Sequence, residues 1–288
     1  MHITKGGKTP CTSLNSGLSR KATAPMAAPV AENKAVNLGD LAAYQFPAMQ
    51  RKIARALAEI EQAAQSCGAI GIAFSTGKDS LVVFDLVRQV LPAAPAAYYH
   101  SGNETEFSDN LALCQHYGVD VIYTEQTLAD LCRDYGYWGY TARIECDDVN
   151  FGAFMVGEPA YRFIEQQQLN CIALGLRAQE NSGRAANERF RGHFYPVNVP
   201  QHPNFYHLTP IANWTHDDVW AYIAGRELRY NPIYDAMAAA GIPRAEQRVS
   251  ILLGMAFSNH GRYQYLRMTA PELWRNLANQ FPALRRLS

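Results

Sequence analysis

The chain has 288 residues, and its 26 Lys and Arg balance its 26 Asp and Glu, so its formal net charge is zero. This balance excludes a globally basic nucleic-acid binder, although a local basic patch stays open. The six cysteines are scattered without a Cys-x-x-Cys pair, which excludes the usual zinc and iron–sulfur spacings and indicates a reducing compartment.

The first segment, residues 1–37, is rich in Ala, Pro, Ser, Thr, Gly and Lys and has no apolar periodicity. We expect it to be a disordered tail. It lacks the apolar core of a signal peptide, and no later stretch is long and apolar enough to span a membrane, so we expect a cytoplasmic protein without membrane contact. Residues 38–65 then show helical spacing through Ile53, Leu57 and Ile60, and Gly68 ends that helix.

An apolar run at residues 70–74 leads into Ser75-Thr76-Gly77-Lys78-Asp79-Ser80, which we call the phosphate loop, and then into a second apolar run at residues 81–87. The pattern predicts a strand, a tight turn and a helix. The first turn of such a helix has unpaired N–H groups and favours negative charge, and Lys78 adds a cation. The hydroxyls and the glycine add donors and backbone room, so the loop is predicted to bind phosphate groups.

The order and spacing of residues in this loop exclude a Walker A motif. Gly71 and Gly77 are separated by one residue too many, and Asp79 stands where a magnesium-binding hydroxyl belongs. The run resembles instead the PP-loop, Ser-Gly-Gly-x-Asp-Ser, of the N-type ATP pyrophosphatases, with Thr76 in place of the first glycine. For this motif alone, an ordinary capped connection between strand and helix is the alternative.

Downstream, short apolar runs alternate with helical patterns. Further strands are predicted at residues 96–100, 119–123 and 170–175. Further helices are predicted at residues 107–117, 127–134 and 159–168. This alternation indicates an α/β fold with a parallel sheet and helices on both faces. Ligands of such sheets lie at the carboxyl ends of strands, and three predicted strands end next to small or charged residues at Phe74, His100 and Gly175.

The segment from His207 to Asp235 carries a second distinctive pattern. Thr215 is predicted to cap a helix that has acidic residues in its first turn, and Trp214 and Trp220 are interpreted as packing residues. From about residue 243 onward, arginines are interleaved with aromatic residues. This arrangement is open to nucleic-acid contact, but the outer faces of packed helices are the favoured interpretation.

Together with the phosphate loop, the run Pro210-Ile211-Ala212-Asn213-Trp214-Thr215-His216-Asp217-Asp218-Val219-Trp220 closely resembles the phosphoadenosine phosphosulfate (PAPS) reductase family of the PP-loop adenine nucleotide α-hydrolase superfamily. The resemblance covers residues 68–235. It implies a Rossmann-like parallel sheet with helices on both faces. The implied domains are a tail at 1–37, a PAPS reductase-like domain at 38–240 and a helical C-terminal extension at 241–288.

The resemblance also implies the site. Lys78 and Arg177 are expected to be catalytic by stabilising charge on the phosphates. For Asp79 we favour a helix cap over magnesium binding, and no residue is assigned as a metal ligand. For Arg184, a solvated basic loop is the alternative to anion contact. The nucleotide-binding positions are expected at Ser75, Thr76, Gly77, Lys78, Asp79, Ser80, Ser101, Gly102, Gly175, Arg177 and Arg184.

Two departures from the family bear on the activity. Members often show Asp-Thr-Gly at the second strand end, where this chain has His100-Ser101-Gly102. Assimilatory reductases carry a nucleophilic cysteine in a C-terminal Glu-Cys-Gly-x-His motif, whereas the last cysteine here is Cys171. Because a thiolate must attack sulfur in that reaction, true PAPS reductase activity is not expected, and the polar-loop Cys146 is interpreted as incidental.

The favoured function is therefore an enzyme that binds ATP or an adenylyl compound, namely adenylyl sulfate (APS) or PAPS. It would act with Mg²⁺ at the α-phosphate, in sulfur or nucleotide metabolism, without an iron–sulfur cluster. One alternative is a PAPS-dependent sulfurtransferase or reductase that uses an external thiol. Another is a non-catalytic nucleotide-binding or DNA-associated regulator. A small-molecule nucleotide is the expected partner. A protein partner stays open, and nucleic acid is not favoured.

Overall fold

The computed structural model describes residues 35–102, 106–135, 152–180, 182–199, 202–249, 262–282 and 285. A six-stranded sheet lies at its centre, with strand order β3-β2-β1-β4-β6-β5. The strands are β1 (Ile70–Ala73), β2 (Ala96–His100), β3 (Asp120–Tyr123), β4 (Cys171–Ala173), β5 (Phe194–Val199) and β6 (His202–Leu208). All neighbours pair in parallel except β5, which runs antiparallel to β6 at one edge.

Eleven α-helices surround the sheet in the described part of the chain. They are α1 (Leu38–Gln45), α2 (Pro47–Cys67), α3 (Lys78–Val90), α4 (Asp109–Tyr117), α5 (Leu128–Tyr135), α6 (Glu158–Gln167), α7 (Ser182–Arg191), α8 (His216–Gly225), α9 (Ile233–Ala239), α10 (Arg262–Thr269) and α11 (Pro271–Gln280). A π-helical turn, Ala153–Gly157, precedes α6, and a 3₁₀ turn, Ala178–Glu180, follows β4.

The two faces of the sheet bury separate apolar clusters, as expected for a sheet covered on both sides. On one face, Phe163 and Ile164 of α6 pack with Ile172 of β4. Gly71 of β1 makes this approach possible, because a Cβ there would lie 2.9 Å from the ring of Phe163. The larger cluster on the other face joins Ile72 of β1 to helices α2, α3 and α8.

The predicted fold class is confirmed, and the strand bounds agree to within one or two residues. The helical pattern over residues 38–65 forms two helices, since Pro47 fits the first turn of a new helix but not the interior of one. Asn37, assigned to the tail, caps α1 through a capping box with Asp40. The rest of residues 1–37 lies outside the described residues, apart from Ala35 and Val36.

The sequence prediction missed the β5–β6 hairpin, which makes the sheet mixed rather than wholly parallel. Its strands carry polar residues among the apolar ones, as in His202-Pro203-Asn204, and so lack the continuous apolar run of a buried parallel strand.

The helix predicted after Thr215 is confirmed. The Thr215 side chain accepts a hydrogen bond from the Asp218 amide, and Asp218 accepts one in return from the Thr215 amide. Trp214 and Trp220 are buried, in line with their interpretation as packing residues. No helix in the part of the chain that the structure describes is long and apolar enough to cross a membrane.

Two cysteines that are distant in the sequence are neighbours in the fold. Cys67 ends α2 and Cys171 begins β4. The neighbouring Cys67 thiol and burial together raise the pKa of the Cys171 thiol. Both are free cysteines, as are Cys114 and Cys132 among the described residues.

Candidate functional site

The phosphate loop connects β1 to α3 at the carboxyl edge of the sheet. Within it, the Ser75 amide and hydroxyl both donate to Ser80 Oγ at 3.0 Å, and Ser80 in turn donates to the Gly77 carbonyl. The Lys78 amide donates to the hydroxyl of Tyr234 at 3.0 Å. The loop hydroxyls thus hold the turn together, whereas the sequence prediction assigned them to phosphate.

The remaining amides of the loop form the anion-binding feature. Within the described residues, four loop N–H groups have no hydrogen-bond acceptor. They belong to Thr76, Gly77, Asp79 and Ser80. These groups lie at the positive end of the α3 dipole, where an anionic oxygen is stabilised.

Thr76 occupies a left-handed backbone conformation, with φ of 59°. This region favours glycine, which agrees with the glycine that the PP-loop pattern has at this position. The threonine is tolerated because its Oγ1 donates to Asn110 Oδ1 at 2.9 Å, and that oxygen also accepts from Asn231 Nδ2 at 2.8 Å. The side chain is buried and points to the β2 side of the loop.

Lys78, Asp79 and Arg177 form a buried charge cluster. Asp79 Oδ2 lies 2.9 Å from Lys78 Nζ, and Asp79 Oδ1 lies 2.6 Å from Arg177 Nε. Both cations are almost fully buried. Burial alone would raise the pKa of the Asp79 carboxyl, but the two cations hold it below its ordinary value. Burial likewise lowers the pKa of Lys78, against the opposing charge of Asp79.

The prediction that Asp79 caps α3 is wrong. The N-cap residue is Gly77, and no side chain caps the helix. Asp79 lies one residue further in than Lys78, so its carboxylate extends sideways to Arg177, which follows β4. It ties the phosphate loop to the neighbouring strand end by charge.

Arg177 is held by several groups besides Asp79. Its Nη2 lies 2.9 Å from His216 Nδ1, and its Nη1 donates to the Trp214 carbonyl at 3.4 Å. Since an arginine only donates, His216 Nδ1 is the acceptor here, and the neutral ring carries its hydrogen on Nε2. Burial and the nearby cations lower the pKa of His216 to about 4.

Glu180 connects two cationic side chains and one backbone amide on this side of the site. Its carboxylate accepts the Arg177 amide at 3.1 Å and pairs with Arg248 at 2.7 Å and with Arg184. The predicted binding residue Arg184 is therefore close to Arg177, and it is anchored rather than free in a solvated loop.

The carboxyl end of β4 approaches the loop closely at Gly175. A Cβ on Gly175 would lie 2.6 Å from the Ser80 nitrogen and 2.7 Å from the Asp79 carbonyl carbon. Backbone atoms cannot yield as a side-chain tip can, so this position requires glycine. The contact fixes the distance between two of the three predicted strand ends.

The third strand end holds Ser101 and Gly102 beside Glu106. Ser101 donates to Glu106 Oε1 through its amide at 3.1 Å and through its hydroxyl at 2.5 Å. Glu106 Oε2 accepts from Tyr98 Oη at 2.5 Å and from Asn110 Nδ2 at 3.0 Å. The buried His100 accepts the Gly102 amide on Nδ1 at 3.0 Å.

A cavity of about 240 Å³ lies across these strand ends, and we call it the strand-end cavity. Its polar wall includes Ser75, Ser80, Ser101, Glu106 and Asn110. Its apolar wall includes Phe74, Leu128, Met155, Val156, Leu174, Leu176 and Val249. Among the described residues, the wall includes neither Lys78 nor Arg177, which lie behind the phosphate loop.

One polar group of the cavity wall lacks a partner. The hydroxyl of Tyr99 is buried and makes no hydrogen bond within the described residues. Buried hydroxyls are usually hydrogen-bonded, so this one is an exception.

The strand-end cavity is lined by residues from all three predicted strand ends, and of the predicted binding positions its wall includes Ser75, Ser80, Ser101 and Gly175. Cys146 lies outside the described residues. Sequence reasoning missed Glu106, Asn110, His216, Tyr234 and Arg248. His216 and Tyr234 stood in the quoted motif, but their contacts join residues 39 and 156 positions apart. No group of three or more His, Cys, Asp or Glu residues arranged to hold a metal occurs within the described part of the chain.

A helix N-terminus with free amides, buried cations and an apolar cavity at the carboxyl ends of parallel strands define an α/β protein with a candidate anion-binding site. The chain belongs to the phosphoadenosine phosphosulfate reductase domain family, whose model matches residues 69–240.

Curated relatives match over a shorter stretch. The phosphoadenosine 5'-phosphosulfate reductase of Xanthomonas oryzae pv. oryzae (strain PXO99A) is 32% identical over 78 residues, which are 27% of this chain and 29% of the relative. The enzyme of the same name from Xylella fastidiosa (strain 9a5c) is 31% identical over the same shares. The match therefore spans less than a third of the length of these relatives.

Solved structures show a general likeness at 14% identity. The PAPS reductase from Candida auris, in a phosphate complex, has a TM-score of 0.43 and covers 65% of this chain and 89% of its own. The Candida glabrata FMN adenylyltransferase has a TM-score of 0.47 and covers 69% of this chain and 65% of its own. At these scores the likeness carries no conclusion about the chemistry of this chain.

Proposed function

We propose that this protein binds ATP or a related adenylyl compound in the strand-end cavity and acts at the α-phosphate. The observation that carries the proposal is the set of four free amides at the start of α3, backed by the buried cations Lys78 and Arg177. Membership of the PAPS reductase family supports an adenine nucleotide as the source of the phosphate groups. We place the reaction in sulfur or nucleotide metabolism, in the cytoplasm.

In the proposed reaction, a nucleophilic oxygen of an acceptor attacks the α-phosphorus of ATP. The new bond joins the acceptor to the adenylyl group, the bond from the α-phosphorus to the bridging oxygen breaks, and pyrophosphate leaves with the electron pair. The acceptor's proton passes to water. Positioning and charge neutralisation supply most of the rate in such transfers.

The chain's residues have separate parts in this proposal. The free amides of the phosphate loop hold the pyrophosphate, and Lys78 and Arg177 stabilise its charge from behind the loop. Because both cations are already buried and fixed by Asp79, they need little reorganisation as charge develops. Arg184 adds positive charge at the β4 side. Ser101 and Gly102 face the ribose, and Gly175 keeps the loop in place.

Magnesium enters the proposal as part of the substrate, MgATP. Magnesium keeps several waters and is usually bound by substrate phosphates with one or two carboxylates. Asp79 is the only carboxylate of the phosphate loop, and both of its oxygens are engaged by cations. The loop therefore does not fit a resident metal ion.

One observation favours a second candidate, a nucleotide-binding regulator without turnover. Asp79 is paired with both Lys78 and Arg177 and offsets one of their two positive charges, so the two cations would attract an incoming phosphate less than two unpaired cations. A PAPS-dependent sulfurtransferase with an external thiol would use the same cavity, and the acceptor could come from a protein partner.

The test is product analysis of the purified full chain incubated with MgATP, with and without sulfate, FMN or tRNA as acceptors. We expect AMP or an adenylated acceptor together with pyrophosphate. Lys78→Ala should reduce turnover by at least about 100-fold, the cost typical of losing one charge-stabilising group. Arg55→Ala removes a cation of an exposed pair on α2 and serves as the matched control with wild-type turnover.

The outcomes separate the candidates. Turnover in Lys78→Ala equal to that of the wild type contradicts the assigned site, provided that thermal unfolding shows both proteins folded. Tight ATP binding without any product supports the regulator. Transfer of the sulfonate group from PAPS to an added dithiol, without cleavage of ATP, supports the sulfurtransferase.

A further inference from the structure

Residues 242–249 follow α9 and lie beyond the part of the chain that the family model matches, which ends at residue 240. Two of them reach the candidate site, although the proposed function uses neither. We infer that Val249 contacts the nucleoside part of the ligand in the strand-end cavity and that Arg248 strengthens the binding of its phosphate groups. The inference rests on the proposed function for the nature of the ligand. Val249 is then a binding residue, and Arg248 is a positioning residue.

Buried contacts fix the path of this segment. Ile242 is buried, and its amide donates to the Met237 carbonyl of α9 at 3.0 Å. The side chain of Gln247 is also buried, and its Nε2 donates back to the Ile242 carbonyl at 2.9 Å. The segment is therefore anchored on both sides of its turn, and the two residues that follow Gln247 have a defined position.

Val249 forms part of the apolar wall of the strand-end cavity, together with Phe74 and Leu174. It is buried and belongs to the larger apolar cluster of the fold. The phosphate loop begins at the same cavity, with Ser75 in its wall. A nucleotide whose phosphates lie on the loop therefore fills the cavity with its nucleoside. An apolar side chain in this wall gains from contact with the base, because the contact removes both from water.

Arg248 lies at the phosphate end of the site and acts through Glu180. Its Nη1 donates to Glu180 Oε1 at 2.7 Å, while Oε2 of the same carboxylate accepts the Arg177 amide at 3.1 Å. The guanidinium of Arg177 in turn pairs with Asp79 of the phosphate loop. Arg248 thus holds the carboxylate that fixes the backbone of Arg177, and so supports the buried charge cluster from outside the family domain.

The positive charges on this side of the site are close enough to act on one another. Burial is the largest cause of the lowered pKa of Lys78, and the charges of Arg177 and Arg248 add to it. Burial and then the charge of Arg248 lower the pKa of Arg184. Cations that lower one another's pKa are stabilised by a nearby anion. Arg248 therefore favours an anion on the phosphate loop, although it is not among the described residues that line the cavity.

Two ligands separate the two ends of the site. Inorganic pyrophosphate has phosphate groups and no nucleoside. The analogue α,β-methylene ATP has both, and its P–C–P linkage blocks cleavage between the α- and β-phosphates. Each is titrated calorimetrically into the full chain in the presence of Mg²⁺, so that neither measurement requires turnover.

Arg248→Gln should weaken the binding of both ligands by at least about fivefold, since it removes a charge close to the phosphates. Arg248→Lys keeps the charge and should recover most of the lost affinity. Because the effect is carried by charge, the loss in Arg248→Gln should shrink when the salt concentration is raised to about 0.5 M. The matched control is Arg275→Gln, which breaks an exposed pair with Glu272 on α11 and should bind both ligands as the wild type does.

Val249→Ala should weaken the binding of α,β-methylene ATP by about threefold, through lost apolar contact, and leave pyrophosphate unchanged. Val249→Thr keeps the volume and places a hydroxyl in the apolar wall, so it should show the same selective loss. Leu38→Ala truncates an exposed side chain on α1 and is the control for both. Thermal unfolding shows which variants are folded.

A folded Arg248→Gln or Val249→Ala that binds both ligands as the wild type does overturns the part assigned to that residue, while the proposed function stands. A Val249→Ala that weakens pyrophosphate as much as the nucleotide also overturns its part, because the side chain would then support the loop alone. A loss in Arg248→Gln that neither lysine nor salt reduces overturns the action through charge. If the wild type binds neither ligand, the inference and the proposed function both fail. If the variants behave as expected but MgATP is not turned over, only the proposed function fails.

Discussion

On the β4 flank of the phosphate loop, Asp79 lies between two buried cations, whereas on the β2 flank Glu106 is surrounded by hydroxyl and amide groups. Asp79 belongs to the loop itself, whereas Glu106 reaches the loop only through Asn110, which accepts a hydrogen bond from Thr76. The carboxylate on the first flank is paired with cations, and the carboxylate on the second is held by uncharged donors. The two flanks of the loop are therefore electrostatically unequal.

The largest effect on the free energy of unfolding is expected on the β4 flank. Arg177→Met leaves Asp79 buried with one cation and removes the partner of His216 and of the Trp214 carbonyl. We expect the free energy of unfolding to fall by about 3 kcal/mol, since breaking a buried pair from one side is costly. Urea denaturation measures it. Arg133→Met, which breaks the exposed pair with Asp130, should cost less than about 1 kcal/mol. Equal losses in the two variants contradict the importance of the cluster.

Next comes the contact between Gly175 and the loop backbone. Gly175→Ala places a Cβ against the Ser80 nitrogen, and we expect a loss of about 2 kcal/mol in stability and weaker AMP binding. Gly157→Ala is the matched control, because its Cβ would have no neighbour nearer than 3.8 Å. Urea denaturation of both variants measures the change in stability, and calorimetric titration with AMP measures the change in affinity. An unchanged affinity in Gly175→Ala would show that the two strand ends can separate without harm to the site.

On the β2 flank, substitutions of Thr76 are expected to change the free energy of unfolding by a smaller amount. Thr76→Ala loses the hydrogen bond to Asn110 and keeps the strained backbone, whereas Thr76→Gly loses the bond and relieves the strain. We expect the glycine variant to be about 1 kcal/mol more stable than the alanine variant in urea denaturation. The opposite order would mean that the left-handed conformation at this position costs nothing.

The smallest expected effect is a pH dependence of the free energy of unfolding, caused by His216 on the β4 flank. An unfolded histidine takes up a proton near pH 6.5, whereas His216 in the folded protein does so near 4. Between these values the unfolded chain binds more protons, so stability is full above pH 6.5 and declines as the pH falls towards 4.

His216→Asn removes this contribution, and we expect its free energy of unfolding to decline less between pH 6.5 and 4 than that of the wild type, by on the order of 1 kcal/mol. Unfolding curves at several pH values measure the difference. Parallel profiles for the two proteins would show that His216 is accessible enough to protonate freely.

The sequence predicts the central sheet well because buried parallel strands require continuous apolar runs, and Ile70 to Phe74 is such a run. The β5–β6 hairpin escapes prediction because edge strands carry mixed residues and rely on pairing instead of burial. The start of α2 was misplaced for a different reason. Apolar periodicity continues through Pro47, and only the local backbone rule at proline separates the two helices.

The sequence predicts those parts of the site whose functional groups lie close together along the chain. The small residues and the cation of the phosphate loop signal an anion site, and the residue pattern contains them within six positions. The partners that tune the site are not local. Asp79 reaches Arg177 across 98 positions and Asn110 meets Asn231 across 121, and no spacing rule brings such pairs together. The sequence favours Asp79 as a helix cap because of its position in the first turn of α3. The prediction fails because the carboxylate pairs with Arg177, a cation, and leaves the backbone amides of the helix without it.

The antiparallel strand β5 also affects how copies of the molecule meet. An open sheet edge presents unpaired backbone groups on which a strand of another molecule can add. Here the outer edge is formed by a strand that contains Pro196, which has no N–H to donate, and its register with β6 shifts between Val197 and Val199. The opposite edge, β3, is only four residues long and begins with Asp120. Both edges are therefore poor templates for the addition of a strand from another copy.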